Sequence, residues 1–537
     1  MKPVTPSHPL TTSHPLTPSH PLTTYAKLTT SASCINNIRT LHDIPGPPCL
    51  PLVGTSWMYS VFGPYSRHTF HVADVDLYRK YGPIYKERRG GTTLVSLHCP
   101  QDIEKTFRNE GSRPNRIVND ALVWKRRQNP DIYPTVGLAE SLDEDWYNLR
   151  QKVGPVFLRP NKSLFLLTQV NLAAAQLMDA LMRASGRRPW AGGGPFVVPD
   201  LNEVMVRYGA EVIWRSALGV ELGALRSEPP PDALALSSLS LHQFQLMADL
   251  RLSGNAWKMC PKMFPKYRKF AAVDDAVYSL GSKHIAAARS RLLENKGATT
   301  TCPASTILEK FSLIDGLDSR DANTIIIDSF SAGVTTTASS LVLLLHRLGQ
   351  EPAVVRRLQQ EVDEVHGATD GELTQDLVDA SPYLRAVVME GYRLTPIIPS
   401  VIRILPQEVE LSGYKIPPHI PLIAKTRASC RDERNFSRPL QFIPERWLSE
   451  RQGGDEKFAI FRREAKANKF LVKPFGFGAR MCLGKRLAEY EIYAALVNIL
   501  KSFDVKSHGD IALGNYLFLA PIRPVALTLT PRVQRSH

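Results

Sequence analysis

The segment Lys473-Pro-Phe-Gly-Phe-Gly-Ala-Arg-Met-Cys-Leu-Gly484 runs directly into an amphipathic stretch, 485–503, that predicts a helix. Cys482 therefore lies at a helix entrance. There, free backbone N–H groups and the positive end of the helix dipole favour a thiolate over a thiol. A cysteine in this position is either a reactive thiolate beside a cofactor or a buried, inert side chain.

Four neighbours of Cys482 suit a bound cofactor. Gly478 and Gly484 remove side chains on both sides of the cysteine, so a flat cofactor can approach the backbone closely. Arg480 can pair with a carboxylate on that cofactor. Together with Phe475, these spacings favour the cofactor interpretation over an inert cysteine.

This segment resembles the haem-binding loop F-x-x-G-x-R-x-C-x-G of the cytochrome P-450 monooxygenases. The resemblance implies that Cys482 is the axial ligand of the iron of haem b (iron protoporphyrin IX) and that Arg480 contacts a haem propionate. In that family, the electron density of the thiolate favours cleavage of the O–O bond. The implied fold is mainly α with small β-sheets, and the haem lies between an oxygen-binding helix and the cysteine loop.

A second pattern lies upstream, where Glu390-Gly-Tyr-Arg393 stands in an apolar helical stretch. Glu390 and Arg393 share a helix face at i, i+3, which alone would contribute little to stability. The segment Phe442-Ile-Pro-Glu-Arg446-Trp447 resembles the second arginine motif of the family. The resemblance thus implies a structural triad of Glu390, Arg393 and Arg446 that locks the segment carrying the haem loop.

Two further matches concern the haem carboxylates. Trp146-Tyr-Asn-Leu-Arg150 resembles the W-x-x-x-R helix of the family, and Arg403 follows the triad helix in a predicted strand. A Trp and an Arg four residues apart usually reflect only packing and solvation. All the motifs nevertheless follow the order of the family, so the resemblance covers about 44–532. We therefore expect a single cytochrome P-450 domain over residues 43–537.

The predicted oxygen-binding helix departs from the family pattern. Ala332-Gly333-Val-Thr335-Thr336-Thr lies in a long apolar stretch and resembles [AG]-G-x-[DE]-T-[TS]. The resemblance implies that Ala332 and Gly333 open a groove for dioxygen and that Thr336 holds a proton-delivering water. Close helix packing through small residues is the alternative.

Thr335 stands where an acid is usual in this motif. Its hydroxyl can pass on a hydrogen bond but cannot change charge near neutral pH. We expect either a proton relay through water and Thr336, or a reaction with unusual proton demands.

Helical periodicity dominates the rest of the chain, and the strand-like segments are short. Further helices are predicted at 163–184, 201–218, 274–295, 306–348, 354–365 and 383–394. Strands are predicted at 92–97, 401–405, 409–411 and 525–530.

Composition narrows the class of protein. The 537 residues are 43% hydrophobic and 22% charged, which excludes a disordered tail, a collagen-like repeat and a polytopic membrane protein. Lys and Arg total 66 against 51 Asp and Glu, and the net charge of +15 predicts an anionic partner. No recognised motif supports nucleic acid as that partner. Seven scattered cysteines fit a reducing compartment and do not form a disulfide framework.

Residues 1–42 read as a presequence-like, low-complexity leader. A hexamer, Ser-His-Pro-Leu-Thr followed by Thr or Pro, recurs from Ser7 to Thr24, and no acidic residue precedes Asp43. The prolines confine any targeting helix to about 25–40, and a disordered leader is the alternative. Near the N-terminus there is no apolar run of about 18 to 20 residues, so no membrane-spanning anchor is predicted there. Together with the family resemblance, the leader predicts a mitochondrial, peripheral location on the matrix side of the inner membrane.

The basic residues beside the haem loop bear on the identity of the electron donor. Animal mitochondrial members of the family receive electrons from NADPH through ferredoxin reductase and a small acidic ferredoxin, and the P-E-R-W form is similar to theirs. The basic residues beside the haem loop predict a docking face for an adrenodoxin-like ferredoxin; they are Lys466, Lys469, Lys473, Lys485 and Arg486. In the triad helix, Arg385 matches the first basic position of those members, but Met389 stands at the second. A solvated basic face is the alternative.

The segment 256–270 mixes Trp257, Met259 and Met263 with several lysines. This composition resembles an interfacial segment that dips into an anionic membrane, and packing beneath a loop is the alternative. We therefore expect peripheral membrane contact.

These observations predict a haem-thiolate monooxygenase that inserts one atom of O2 into a lipophilic substrate, for which the resemblance favours a steroid or sterol. The predicted lining, 326–336, 398–402 and 516–519, is largely apolar, which does not separate a steroid from a foreign lipophile. The alternatives are a detoxifying monooxygenase, a haem-thiolate isomerase that needs no redox partner, and a haem binder without turnover.

Overall fold

Helices carry most of the chain between residues 39 and 532. The computed structural model describes these residues apart from 61, 67, 90, 160–162, 188–193, 253–255, 296–305, 368–371 and 453–454. From Arg39 onward the chain belongs to one compact unit.

The α-helices, in chain order, are α1 (Phe70–Tyr81), α2 (Pro100–Arg108), α3 (Asp120–Arg127), α4 (Asp143–Leu158), α5 (Phe165–Ala184), α6 (Leu201–Leu218), α7 (Pro231–Leu252), α8 (Pro265–Asn295), α9 (Ile307–Ser312), α10 (Ser319–Leu348), α11 (Pro352–His366), α12 (Gln375–Asp379), α13 (Pro382–Leu394), α14 (Ala459–Ala467) and α15 (Lys485–Ser502). The strands are β1 (Arg39–Thr40), β2 (Ile84–Arg89), β3 (Thr92–Leu97), β4 (Phe196–Val198), β5 (Ser400–Ile404), β6 (Val409–Leu411), β7 (Tyr414–Ile416), β8 (Pro421–Lys425), β9 (Phe503–Ser507), β10 (Leu513–Asn515), β11 (Leu519–Pro521) and β12 (Leu527–Pro531).

The predicted helix at 306–348 is two helices. Thr306 and Glu309 form a capping box that starts α9, and Asp318 caps α10 by accepting the N–H of Arg320. Gly316 between them has φ of +65°, a conformation that interrupts a right-handed helix. The continuous prediction was wrong at this turn because Gly316 and the Asp318 cap separate two helices whose apolar patterns follow one another closely in sequence.

Helix α10 organises the core. It packs most extensively on α6 and also contacts α7, α8, α13 and α15. Its residues Ile325 to Ile327, together with Leu341, Val342, Leu344 and Leu345, are buried in one large apolar cluster. A helix buried on nearly every side can still leave one face open, and in α10 that face includes Ala332 and Thr336.

The sheets hold the segments that connect these helices. The largest has the strand order β2-β3-β8-β5, and it places Arg403 of β5 opposite Leu422 of β8. Strands β4, β12 and β9 form a second sheet, and β10 and β11 form a hairpin near the C-terminus.

Among the described residues, the folded unit already includes Arg39, four residues before the predicted boundary at Asp43. Strand β1 pairs in parallel with β7, and the Arg39 guanidinium donates a hydrogen bond to the Tyr414 hydroxyl at 3.0 Å. The rest of the predicted leader, residues 1–38, lies outside the described residues.

Helix α7 was not predicted from the sequence. Its leucines and alanines are distributed around the whole circumference, so they form no apolar stripe with helical period. Helix α8 also begins nine residues before its predicted start at 274.

Two of the described helices, α5 and α10, are long and apolar enough to cross a membrane. Half of the most apolar window of α5 and 67% of that of α10 are buried against other parts of the protein. Both helices therefore serve as core helices of the fold.

Candidate functional site

The cysteine loop, residues 473–484, folds back on itself before α15 begins. The N–H of Gly476 donates to the carbonyl of Lys473 at 2.9 Å, and that of Met481 donates to Gly478 at 3.1 Å. The N–H of Cys482 donates to the carbonyl of Phe475 at 2.8 Å. These bonds hold the loop that carries Cys482 directly ahead of α15. The helix begins at Lys485, three residues after Cys482, so the cysteine lies at a helix entrance.

The surroundings of Cys482 shift the pKa of its thiol in opposite directions. Its side chain is accessible to solvent, yet it lies deep enough among protein atoms for desolvation to raise its pKa. The N–H of Gly484 and the charge of Arg150 lower the pKa. Burial is the largest of these effects, and the net shift of the Cys482 pKa is upward. A metal cation bound to the sulfur would remove the proton outright.

Arg480 lies among other arginines. Its Nε donates to the carbonyl of Pro114 at 2.9 Å and a terminal nitrogen donates to Ser141 at 2.8 Å. Its guanidinium lies over the ring of Trp146 at 4.1 Å. Burial, followed by the charges of three neighbouring cations, lowers the pKa of Arg480 to about 9. They are Arg116, Arg403 and Arg150.

This cluster fits a ligand that carries carboxylates. Among the described residues, Arg480 forms no ion pair with an acid, and Nε of half-buried Arg116 has no hydrogen-bond partner. Several cations in a partly dry place are costly unless an anion joins them. The two propionates of haem b have the right chemistry, so the residues present fit the group. Arg116 was missed because no local pattern distinguishes it.

Arg150 and Arg403 contact the cysteine loop directly. Arg150 donates to the carbonyl of Met481 at 2.7 Å. Arg403 donates to the carbonyl of Phe477 at 3.2 Å and forms an ion pair with Glu110. Both arginines therefore hold the loop in place, in addition to facing the cation cluster.

The two glycines of the loop have different surroundings. A Cβ on Gly484 would meet only the Cys482 sulfur, at 4.0 Å, so the space beside it is open as predicted. A Cβ on Gly478 would lie 1.8 Å from Oε1 of Glu110. The prediction that Gly478 leaves space for a cofactor was wrong on this side, because Glu110 fills it.

The predicted triad is formed and buried. Arg393 donates Nε–H and a terminal N–H to the two oxygens of Glu390 at 2.9 and 2.8 Å, and Nε of Arg446 lies 3.3 Å from the same carboxylate. Arg393 also donates to the carbonyls of Cys430 and Pro439, both at 2.7 Å. The triad thereby ties α13 to the irregular segment that precedes the cysteine loop.

The predicted oxygen-binding residues divide between two faces of α10. Ala332 is exposed, and Thr336 is partly exposed and donates to the Ala332 carbonyl at 2.7 Å. Thr335 is 2% exposed, and its hydroxyl has only a long contact of 3.5 Å to Ser331. Thr335 therefore points into the core.

Gly333 does not open a groove, contrary to the prediction. A Cβ there would lie 2.4 Å from Cδ1 of Ile213 on α6. Its small size instead allows the close approach of α6, which was the alternative interpretation.

Tyr392, inside the triad motif, connects α10 with the cysteine loop. Burial raises its pKa, and a hydrogen bond with Ser340 lowers it. Ser340 itself donates to the carbonyl of Thr336 at 2.8 Å. The Tyr392 ring lies 5.7 Å from that of Phe475. Sequence reasoning missed this residue, since only the two ends of the motif carry a charge.

The predicted docking residues are largely grouped. Burial lowers the pKa of Lys473, and the nearby charges of Lys469 and Lys485 lower it further. Burial raises the pKa of Tyr493 on α15, whereas Arg385 and Arg486 lower it. Arg385 therefore lies near α15, the helix that contains Arg486. Lys466 is exposed on α14.

The segment 256–270 does not present all of its apolar residues. Trp257 is 2% exposed and stacks on Tyr267 at 5.2 Å, so it packs beneath the segment. Met259 and Met263 are 86% and 79% exposed. The prediction was wrong for Trp257, and the two methionines remain available at the surface.

Comparison with known proteins decides the family. A sequence model of the family "Cytochrome P450" matches residues 44–528. The chain belongs to the cytochrome P450 family. It is therefore a P450 monooxygenase with the mainly helical P450 fold, as the motifs predicted, and the family implies haem and O2.

Similar relatives of this P450 come from Drosophila melanogaster. "Probable cytochrome P450 12b2, mitochondrial" is 29% identical over 500 residues, which are 92% of this chain and 90% of the relative. "Ecdysone 20-monooxygenase" is 29% identical over 506 residues, 92% of this chain and 89% of the relative. "Cytochrome P450 302a1, mitochondrial" is 26% identical over 498 residues, 91% of this chain and 95% of the relative. The predicted resemblance to the mitochondrial group is confirmed.

Proposed function

We propose that this P450 binds haem b through Cys482 and hydroxylates a lipophilic, sterol-like substrate. The observation that carries the proposal is the meeting of Cys482 at the start of α15 with a cluster of arginines in which Arg480 forms no ion pair with an acid among the described residues. Bound haem supplies the activation of O2, and thiolate ligation favours cleavage of the O–O bond.

The arginines bind and orient the cofactor. The guanidinium of Arg480 lies over the Trp146 ring, and that contact helps to position it. Arg150 reaches the loop at Met481, beside the ligand. Charged partners at both positions are expected to hold the propionates and to exclude water from the cluster.

Thr336 delivers protons. Its hydroxyl stands on the partly open face of α10, where solvent can reach it, whereas Thr335 is buried. These positions favour a relay through water and Thr336 over one through Thr335. The missing acid is therefore compatible with ordinary turnover.

Buried apolar residues near the predicted substrate lining support a sterol-like substrate. Phe518 near the C-terminal hairpin packs with Leu343 of α10 and Ile397, and its ring lies 5.4 Å from that of Phe244 on α7. Apolar surroundings of this kind favour a lipophilic molecule through burial of apolar surface. One similar relative is named an ecdysone 20-monooxygenase, so ecdysteroids and their precursors are the first candidates.

Electrons arrive from NADPH through a ferredoxin reductase and an acidic ferredoxin. The lysines at 469, 473 and 485 lie near one another beside the cysteine loop. A positive patch there steers an acidic partner to the face nearest Cys482. The mitochondrial relatives support this pairing and a mitochondrial location.

Membrane contact on the matrix side of the inner membrane involves Met259 and Met263. Both side chains are largely exposed, and lysines surround them in sequence. Exposed apolar side chains among cations suit the interface of an anionic bilayer.

Turnover of a panel of compounds tests the function. The purified protein would receive NADPH, ferredoxin reductase, ferredoxin and, in turn, sterols, ecdysteroids and foreign lipophiles. We expect a hydroxylated product from a sterol or ecdysteroid that requires ferredoxin. Product without ferredoxin, or from the foreign lipophiles alone, would contradict the proposal.

A further inference from the structure

We propose that Glu110 positions the cysteine loop and Arg403 as one unit beside the haem, and that its negative charge lowers the haem reduction potential. The proposal rests on the proposed function, because it takes Cys482 as the haem ligand. Glu110 follows α2 in the chain and is 6% exposed.

Two different elements bind the carboxylate of Glu110. Arg403 of β5 donates its Nε–H to Oε2, and the backbone N–H of Ala479 in the cysteine loop donates a second hydrogen bond. Arg403 in turn donates to the carbonyl of Phe477 at 3.2 Å. The carboxylate, the guanidinium and the loop therefore close a ring of hydrogen bonds. Movement of any one of them would break a charge-assisted bond.

The shape of the loop is fitted to this carboxylate. Gly478 lies between the two loop residues that take part in the ring, and its φ is +71°. Any Cβ at this position would collide with Oε1 of Glu110. A glycine of the cysteine motif is thus matched to an acid that lies far away in the sequence.

Glu110 also changes the charge around the site. The neighbouring cations are Arg116, Arg150, Arg403 and Arg480, and the carboxylate interacts with Arg403 and Arg480. In a partly buried place, such charges act on one another strongly. Reduction of the iron removes one positive charge, so a negative neighbour favours the oxidised state. Loss of Glu110 should therefore raise the potential.

The test compares three variants of the haem-loaded protein. Glu110→Gln keeps the shape and removes the charge, and Glu110→Ala removes both. The matched control is Glu104→Gln, which removes an acid from α2 that pairs with exposed Arg108 at 2.7 Å. The midpoint potential is measured by spectroelectrochemical titration, and haem loss is measured as transfer to excess apomyoglobin.

We expect a higher potential in Glu110→Gln than in Glu104→Gln, and haem release about tenfold faster in Glu110→Ala, as the loss of one charge-assisted hydrogen bond would give. Equal potentials in Glu110→Gln and Glu104→Gln would overturn the proposal, whatever happens to haem release. If Glu110→Ala does not fold, the potential of Glu110→Gln decides alone. A wild-type protein without thiolate ligation would instead contradict the proposed function itself.

Discussion

The guanidinium of Arg480 lies 4.1 Å from the centre of the Trp146 ring. The two residues come from the cysteine loop and from α4, far apart in the chain. Their contact places a partly buried cation next to Arg150, which lies one helical turn after Trp146. The proposed haem-binding role of Cys482 thus depends on packing between these two segments as well as on the loop.

Haem affinity should depend on pH through Arg480. Burial lowers the pKa of Arg480 to about 9 in the protein without haem, and a propionate would raise it. The haem complex therefore binds more protons than the free protein above about pH 9, so affinity falls as pH rises, by up to about tenfold per unit. Quenching of tryptophan fluorescence by haem, titrated between pH 7 and 10, measures this.

Arg480→Gln should weaken haem binding at pH 7 and abolish that decline. The control Arg127→Gln changes an exposed arginine of α3 and should behave as wild type. An unchanged decline in Arg480→Gln would assign the proton to another group.

The triad should dominate stability. Arg393→Lys cannot form both bonds to Glu390 and also reach the carbonyls of Cys430 and Pro439. Breaking such a buried pair costs about 3–5 kcal/mol. Urea unfolding should show this loss, whereas Arg108→Ala, which breaks an exposed pair, should cost below about 1 kcal/mol. Equal effects would contradict the structural role of the triad.

Thr335 and Thr336 should behave differently. Thr336→Ala should reduce product formation by about a hundredfold while NADPH is still consumed, because proton delivery is lost. Thr335→Val should leave the ratio of product to NADPH unchanged, since the side chain is buried. The amounts of product formed and of NADPH consumed are measured in the same reaction. A loss of coupling in Thr335→Val alone would reverse the assignment.

The variant Thr335→Asp introduces the acid that is usual at this position of the motif and tests whether it can act here. It would place a carboxylate at a site that is 2% exposed, which costs several kcal/mol without a partner. We expect a clearly lower unfolding temperature and no gain in coupling. A stable variant with improved coupling would show that the usual acid can act here.

Charge reversal should slow electron transfer. Lys466→Glu combined with Lys469→Glu removes positive charge beside the cysteine loop, and the association rate with ferredoxin should fall about tenfold or more at low salt. The control Lys506→Glu reverses an exposed lysine on β9. Stopped-flow reduction at two ionic strengths separates the two variants. Equal rates would favour a merely solvated basic face.

Sequence reasoning succeeded where the signal is local. Cys482, its helix entrance and the Glu390–Arg393 pair follow from spacings within a few residues, and the structure places them accordingly. Helix α6 was also predicted with its observed bounds, because its apolar period is clear.

Contacts between distant segments were not predictable in the same way. Glu110 and Arg116 reach the site from the segment after α2, and no local pattern marks either of them. Gly333 and Gly478 were read as space for ligands, yet Ile213 and Glu110 fill that space. A glycine in a motif shows that something approaches closely, but only the fold shows what it is.

The reduced carbon monoxide spectrum tests the central claim most directly. The purified protein, reconstituted with haem, should show the absorption band at the position that marks thiolate ligation, and Cys482→Ser should lose it. The control Cys430→Ser, which changes a buried cysteine near the triad, should keep it. A wild-type spectrum without that band, or a Cys482→Ser spectrum that retains it, would contradict the assignment of Cys482 as the haem ligand.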